Sequence, residues 1–127
     1  MGLDNIPQPY PCEIKGCAVY TEDGKIDCEK TDCPYKKIKH VIGIFGTYCW
    51  LRGKVYDHMV VEATNGKYTL YSDLTADELK EILEAVKKNY KPVDELDAEW
   101  KNQLIEYLEQ LLSDVGDRKD FKLVAWY

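Results

Sequence analysis

The clearest hydrophobic pattern in the chain lies in its C-terminal half, where apolar residues recur at helical spacing. Thr75 and Glu78 have the spacing of a capping box, which predicts that a helix begins there. Pro92 predicts where this helix stops, because proline cannot continue a helix. The apolar face of this helix consists of Leu79, Ile82, Leu83, Val86 and Tyr90.

A second helix is predicted from Asp94 or Asp97 to Gly116. Because the connection between the two helices is short, we expect them to form an antiparallel pair. Over residues 121–127 one set of side chains alternates with another, which predicts a terminal strand or a tail that docks an aromatic side chain. The first set is Phe121, Leu123, Ala125 and Tyr127, and the second is Lys122, Val124 and Trp126. The residues expected to be buried by the second helix are Leu96, Trp100, Leu104, Leu108, Leu111 and Leu112.

The middle of the chain favours strands. Residues 40–45 predict a short buried strand, whereas residues 55–71 fit two structures. Asn65-Gly66 between two β-prone runs is typical of a hairpin. The alternative is a helix capped by Gly66, with an apolar stripe of Tyr56, Met59, Val60 and Ala63. We favour the hairpin because of the β-branched and aromatic content.

Residues 1–39 contain few aliphatic side chains and need another source of stability. Two cysteine pairs supply a candidate staple, each with four residues between its members, and Asp23-Gly24 predicts a hairpin turn between the pairs. We call this set the cysteine frame: Cys12, Cys17, Cys28 and Cys33.

Four thiolates from two tight turns suit a structural zinc ion, which binds four ligands tetrahedrally. Gly16 allows the first pair to turn tightly, and Pro34 stiffens the second. We therefore predict zinc on the cysteine frame. An iron–sulfur cluster, disulfides and unligated thiols remain open as alternatives.

Cys49 is the fifth cysteine and leaves the choice of four ligands open. It could replace Cys17 as the fourth ligand, or be a lone buried thiol. A further alternative is a thiol-dependent enzyme or redox protein that uses Cys49. This function would need a base such as His40 or His58 within reach of the thiol.

The chain is long enough for one domain, divided into a Cys-rich segment (1–39), a sheet region (40–72), and a helix pair with a terminal strand (73–127). Its formal net charge of −6 argues against general binding to nucleic acids or anionic membranes. Residues 33–56 differ, because they contain no acid and interleave basic with aromatic residues. This stretch is the best candidate in the chain for binding single-stranded nucleic acid, but we favour the alternative, a Lys-rich loop followed by a core strand.

The N-terminus has neither the basic nor the apolar region of a signal peptide, and no apolar run is long enough to span a membrane. We therefore expect a cytoplasmic protein. In a reducing compartment, clustered cysteines are metal ligands more often than disulfides.

Several short motifs carry a resemblance. The chain opens with GLDNIP at residues 2–7, continues with YPC at 10–12, and has FGTYCW at 45–50 followed by RGK at 52–54. In these motifs it resembles a group of small uncharacterised archaeal proteins. The resemblance covers about the first half of the chain and implies an intracellular archaeal protein, with Cys49 as part of a shared motif. It implies no activity.

Together these patterns predict an α+β domain in which a zinc-stapled N-terminal segment packs on a small sheet covered by the helix pair. The function they favour is a non-enzymatic interaction module. An unidentified protein would be its partner, with a homodimer as a further candidate.

Overall fold

The computed structural model describes residues 3–31, 33–38 and 49–127, in which a small antiparallel sheet lies beside packed helices. This arrangement confirms the predicted α+β class. The predicted strand at residues 40–45 lies outside the described residues. In chain order the elements are β1 (Asp4–Gln8), α1 (Pro11–Lys15), a 3-10 helix (Pro34–Lys37), α2 (Gly53–Ala63), β2 (Leu74–Thr75), α3 (Ala76–Asn89), α4 (Glu95–Val115) and β3 (Lys122–Trp126).

The predicted terminal strand, β3, is the central strand of the sheet, whose order is β1-β3-β2. It pairs antiparallel with β1, from Asp4 opposite Trp126 to Gln8 opposite Lys122, and with β2 on its other side. Within β3, Leu123 is buried, Val124 and Ala125 are half-buried, and Lys122 and Trp126 at its two ends are exposed.

The sequence pattern did not predict β1. Pro7 lies within this strand, opposite Leu123. Proline lacks a backbone donor and is found mainly in edge strands. On its other side β1 forms one isolated bridge, between Asn5 and Leu51, which exchange two backbone hydrogen bonds of 2.8 and 2.9 Å.

The hairpin favoured for residues 55–71 is wrong, because residues 53–63 form the helix α2. Asn65 and Gly66 end this helix, with φ angles of 52° and 79°, and the Gly66 N–H donates to the Val61 carbonyl at 2.8 Å. An Asn-Gly pair tolerates positive φ in a helix cap as well as in a hairpin turn. The apolar stripe decides between them, because all four of its residues are buried where α2 packs on α3.

The two C-terminal helices form at the predicted positions. Thr75 Oγ1 accepts from the Glu78 N–H at 3.3 Å, and the Glu78 carboxylate accepts from the Thr75 N–H at 3.0 Å, which completes the capping box. The Asp94 side chain caps α4 by accepting from the Asp97 N–H at 2.8 Å.

The expected burial along α4 is wrong at its start and correct further along. Leu96 is 54% exposed, whereas Asp97 beside it is buried. Asp97 faces inward here, where its carboxylate accepts hydrogen bonds from the Tyr90 hydroxyl and the Val93 N–H. Of the other expected residues, Leu104, Leu108 and Leu111 are buried, and Trp100 and Leu112 are half-buried.

No helix within the described ranges is long and apolar enough to cross a membrane.

Candidate metal centre

The first cysteine pair lies around a short helix end. Cys12 lies in α1, and Gly16 ends that helix with a φ of 72°, a left-handed conformation that glycine adopts without strain. The Cys17 N–H donates to the Cys12 carbonyl at 2.9 Å, so the chain turns back between the two thiols. Gly16 therefore has the turning role predicted for it.

A turn with its tip at Gly24 leads to the second pair. Tyr20 and Ile26 form a single antiparallel bridge at its base. The Val19 N–H donates to the buried Thr31 Oγ1 at 3.0 Å, and the Asp27 N–H donates to the Val19 carbonyl at 2.7 Å. These bonds tie the segment that follows Cys17 to the segment around Cys28.

Cys33 and Cys49 are both anchored against α4. Cys33 precedes the 3-10 helix, whose Tyr35 is 1% exposed and packs on the Tyr107 ring with centroids 5.4 Å apart. The Tyr107 hydroxyl donates to the Cys49 carbonyl at 2.6 Å. One buried tyrosine of α4 thus contacts the segments that carry both thiols.

All five cysteines line one cavity of about 30 Å³. A single water needs ~10–15 Å³ of such space, so the cavity suits one ion better than a cluster of several irons and sulfides. Cys12, Cys28 and Cys33 are half-buried, Cys49 is buried and Cys17 is exposed. The structure therefore brings together the whole predicted cysteine frame and the fifth thiol.

The thiols influence one another electrostatically. Burial raises the pKa of Cys12 to about 11, and the neighbouring thiols of Cys17 and Cys33 contribute to this shift. Burial also raises the pKa of Cys49 well above its usual value, and the neighbouring thiols of Cys33, Cys12 and Cys28 raise it further. A bound cation would relieve this repulsion by stabilising thiolates.

The five thiols line one cavity, but they are not arranged as the ligands of a metal ion. Across residues 3–31, 33–38 and 49–127, no group of three or more Cys, His, Asp or Glu side chains is placed so that it could hold a metal ion. The donor set itself fits zinc, which prefers thiolates. Coordination would require the thiol groups to turn towards the centre of the cavity they share.

The cavity also has a charged wall that the sequence pattern did not indicate. Asp114 of α4 is 9% exposed and accepts from the Tyr35 hydroxyl at 3.0 Å and from Gln110 Nε2 at 3.0 Å. Lys15 Nζ lies 3.2 Å from the same carboxylate. No local motif could identify this group, because Tyr35 and Asp114 are 79 positions apart.

The environment of Cys49 is unlike that of a nucleophilic cysteine. Such a residue needs exposure and a lowered pKa, but Cys49 is 6% exposed and its pKa is raised. His58 is not a lining residue of the cysteine cavity. Its Nε2 lies 3.2 Å from Asp97 Oδ1, and its ring packs on Tyr90. His40, the other base considered, lies outside the described residues.

The basic and aromatic stretch at residues 33–56 is described only at its two ends. At its C-terminal end, Trp50 Nε1 donates to the Tyr10 hydroxyl at 3.1 Å, and the Trp50 ring packs on Trp126 with centroids 6.0 Å apart. Trp50 is therefore engaged within the fold. Nucleic-acid binding through this stretch stays a prediction.

Comparisons of the chain with protein-family models, with curated proteins and with solved structures give no match. The chemistry proposed below therefore depends on the residues themselves.

Proposed function

We propose that this protein is a cytoplasmic, non-enzymatic interaction module whose N-terminal segment is held in place by one structural zinc ion. Cys12, Cys28 and Cys33 would supply three ligands, and Cys17 or Cys49 the fourth. The observation that carries the proposal is the convergence of five cysteines, from three separate stretches of the chain, on one cavity. Bound zinc would cross-link these stretches, and the first two of them lie within residues 1–39, which contain few aliphatic side chains.

Exposed aromatic side chains support the interaction role. Tyr20, Tyr71, Trp126 and Tyr127 are 54%, 42%, 46% and 65% exposed. Tyrosine and tryptophan are enriched at protein interfaces because they combine a large apolar area with a polar group. We expect a protein partner, or a second copy of this chain, to bind through these aromatic side chains.

Metal content and metal removal test the proposal. We expect native mass spectrometry of protein purified under reducing conditions to find one zinc per chain. A strong chelator should then lower the melting temperature and increase hydrogen exchange in residues 10–35, while α3 and α4 stay protected. Protein that neither contains nor takes up zinc, or that melts identically with and without chelator, would refute the structural metal.

A further inference from the structure

We propose that Cys49 is the fourth ligand and that Cys17 is the spare thiol, so that the metal fastens the N-terminal segment onto the helical core. This inference rests on the zinc site proposed above. It replaces the cysteine frame, which spacing alone favours, with the set Cys12, Cys28, Cys33 and Cys49.

Burial separates the two candidates for the fourth position. Structural zinc sites are closed, with four protein ligands and no position open to solvent. Cys49 forms part of the buried core at 6% exposure, whereas Cys17, which lines the same cavity, is exposed. A closed site therefore favours Cys49 as the fourth ligand.

The burial of the other thiols supports the same choice. Cys12, Cys28 and Cys33 are half-buried and line the same cavity as the buried Cys49, so Cys17 is the one exposed thiol of the five.

The choice of Cys49 changes what the metal does. With the cysteine frame, zinc would join residues 12–33 only to each other. With Cys49 it adds a second attachment to α4 beside that of Tyr35, because the Cys49 carbonyl accepts from the Tyr107 hydroxyl at 2.6 Å. Two residues later, Leu51 pairs with Asn5 of β1. The metal then links the N-terminal segment to both a helix and the sheet.

Alkylation of the zinc-loaded wild-type protein tests this assignment without any substitution. We expect brief iodoacetamide treatment, followed by peptide mapping, to modify one cysteine, Cys17, because it is exposed and unligated. Denatured, metal-free protein should be modified at all five cysteines. If the cysteine frame held the metal, the spare thiol would be the buried Cys49 and Cys17 would be protected, which would overturn the inference.

Matched serine variants give a second, independent measurement with Co²⁺ as a spectroscopic probe. We expect Cys17→Ser to keep one metal per chain and the thiolate charge-transfer intensity of four sulfur ligands. Cys49→Ser should weaken zinc binding more than the ~10–100-fold typical of losing an outer-sphere partner. If Cys49→Ser fails to fold, the Cys17→Ser spectrum and the alkylation map still decide.

The failure of this inference is distinguishable from the failure of the zinc site. Loss of one thiolate from the spectrum of Cys17→Ser would overturn the choice of Cys49 and leave the zinc site intact. Wild-type protein that binds neither Zn²⁺ nor Co²⁺ would overturn both, and this result is reached before any variant is compared.

Discussion

Gly53 begins α2 where β1 leaves no room for a side chain. A Cβ atom built on Gly53 would lie 1.9 Å from Asn5 Oδ1 and 2.8 Å from Leu3 Cδ2. Asn5 is held in place, because it is fully buried and its Nδ2 donates to the Leu70 carbonyl at 2.8 Å. The requirement for glycine here is one of space.

We therefore expect Gly53→Ala to lower the free energy of unfolding by about 1–3 kcal/mol, as overpacking does. Urea denaturation measures this loss. Lys54→Ala, at the exposed next position, should change stability by less than about 0.5 kcal/mol. The clash should be relieved in part by Asn5→Ala, so the double variant should lose less than the sum of the two single losses. Additive losses would contradict the proposed contact.

Asp97 is a buried carboxylate surrounded by donors. It accepts from the Tyr90 hydroxyl at 2.5 Å and from the Val93 N–H at 3.1 Å. Burial alone would raise its pKa, but hydrogen bonds from Tyr90, Val93 and His58 outweigh burial and lower it. Because the folded pKa lies below the unfolded value of ~3.9, this stabilisation is present above about pH 4 and is lost as the pH falls through the folded pKa.

Tyr90→Phe should remove the shortest of these hydrogen bonds. At pH 7 we expect a loss of about 1.5–3 kcal/mol in unfolding free energy, the usual value for a hydrogen bond to a charged group. The difference from wild type should shrink as the pH falls below 4, because the carboxylate is then neutralised in both proteins. Denaturant unfolding at pH 7 and near pH 3 measures both values, with Tyr71→Phe as an exposed control. A difference that stayed constant with pH would contradict the assignment.

At the scale of elements, the sequence predicted structure well where two independent signals agreed. α3 has both a capping box and an apolar period, and it forms where expected. Residues 55–71 had conflicting signals, since their β-branched and aromatic residues favour a hairpin and their apolar spacing favours a helix. Burial against α3 is a tertiary effect that local propensity does not contain. β1 was missed because Pro7 is unusual in a strand.

The capping box that starts α3 makes a measurable prediction. Thr75→Ala should cost about 1 kcal/mol of unfolding free energy, because the first helical turn loses the acceptor for the Glu78 N–H. Thr75→Ser keeps a hydroxyl at the same position and should lose much less. Thermal or urea unfolding of the matched pair checks this, and equal stability of the two variants would show that the cap contributes nothing.

At the scale of the whole molecule, the N-terminal segment is joined to the helical core at two places on α4. One is Tyr107, whose ring packs on Tyr35, and the other is Asp114, which accepts from the Tyr35 hydroxyl and lies beside Lys15. Cysteine spacing grouped the four thiols of the cysteine frame, which do line one cavity, but it did not indicate that Cys49 lines it too. It did not predict that Tyr107 and Asp114 of α4 would contact the segments around the cavity. These two residues have no local pattern that distinguishes them from other positions on a buried helix face.

Asp114 should therefore matter more to the docking of the N-terminal segment than Lys15 does. Asp114→Ala leaves the buried Tyr35 hydroxyl without its acceptor, so we expect a loss of about 1–3 kcal/mol in unfolding free energy and faster hydrogen exchange in residues 10–35. Lys15→Gln should cost less than about 1 kcal/mol, since that side chain is 49% exposed.

A double-mutant cycle separates this contact from general damage to α4. When Tyr35→Phe is combined with Asp114→Ala, no hydroxyl is left unpaired, so the double variant should lose less than the two single variants together. Strict additivity, or an Asp114→Ala protein whose exchange changes only within α4, would mean that the N-terminal segment is held without this contact. The segments around the thiol cavity would then be attached to α4 through Tyr107 and, in the proposed zinc-bound protein, through the metal.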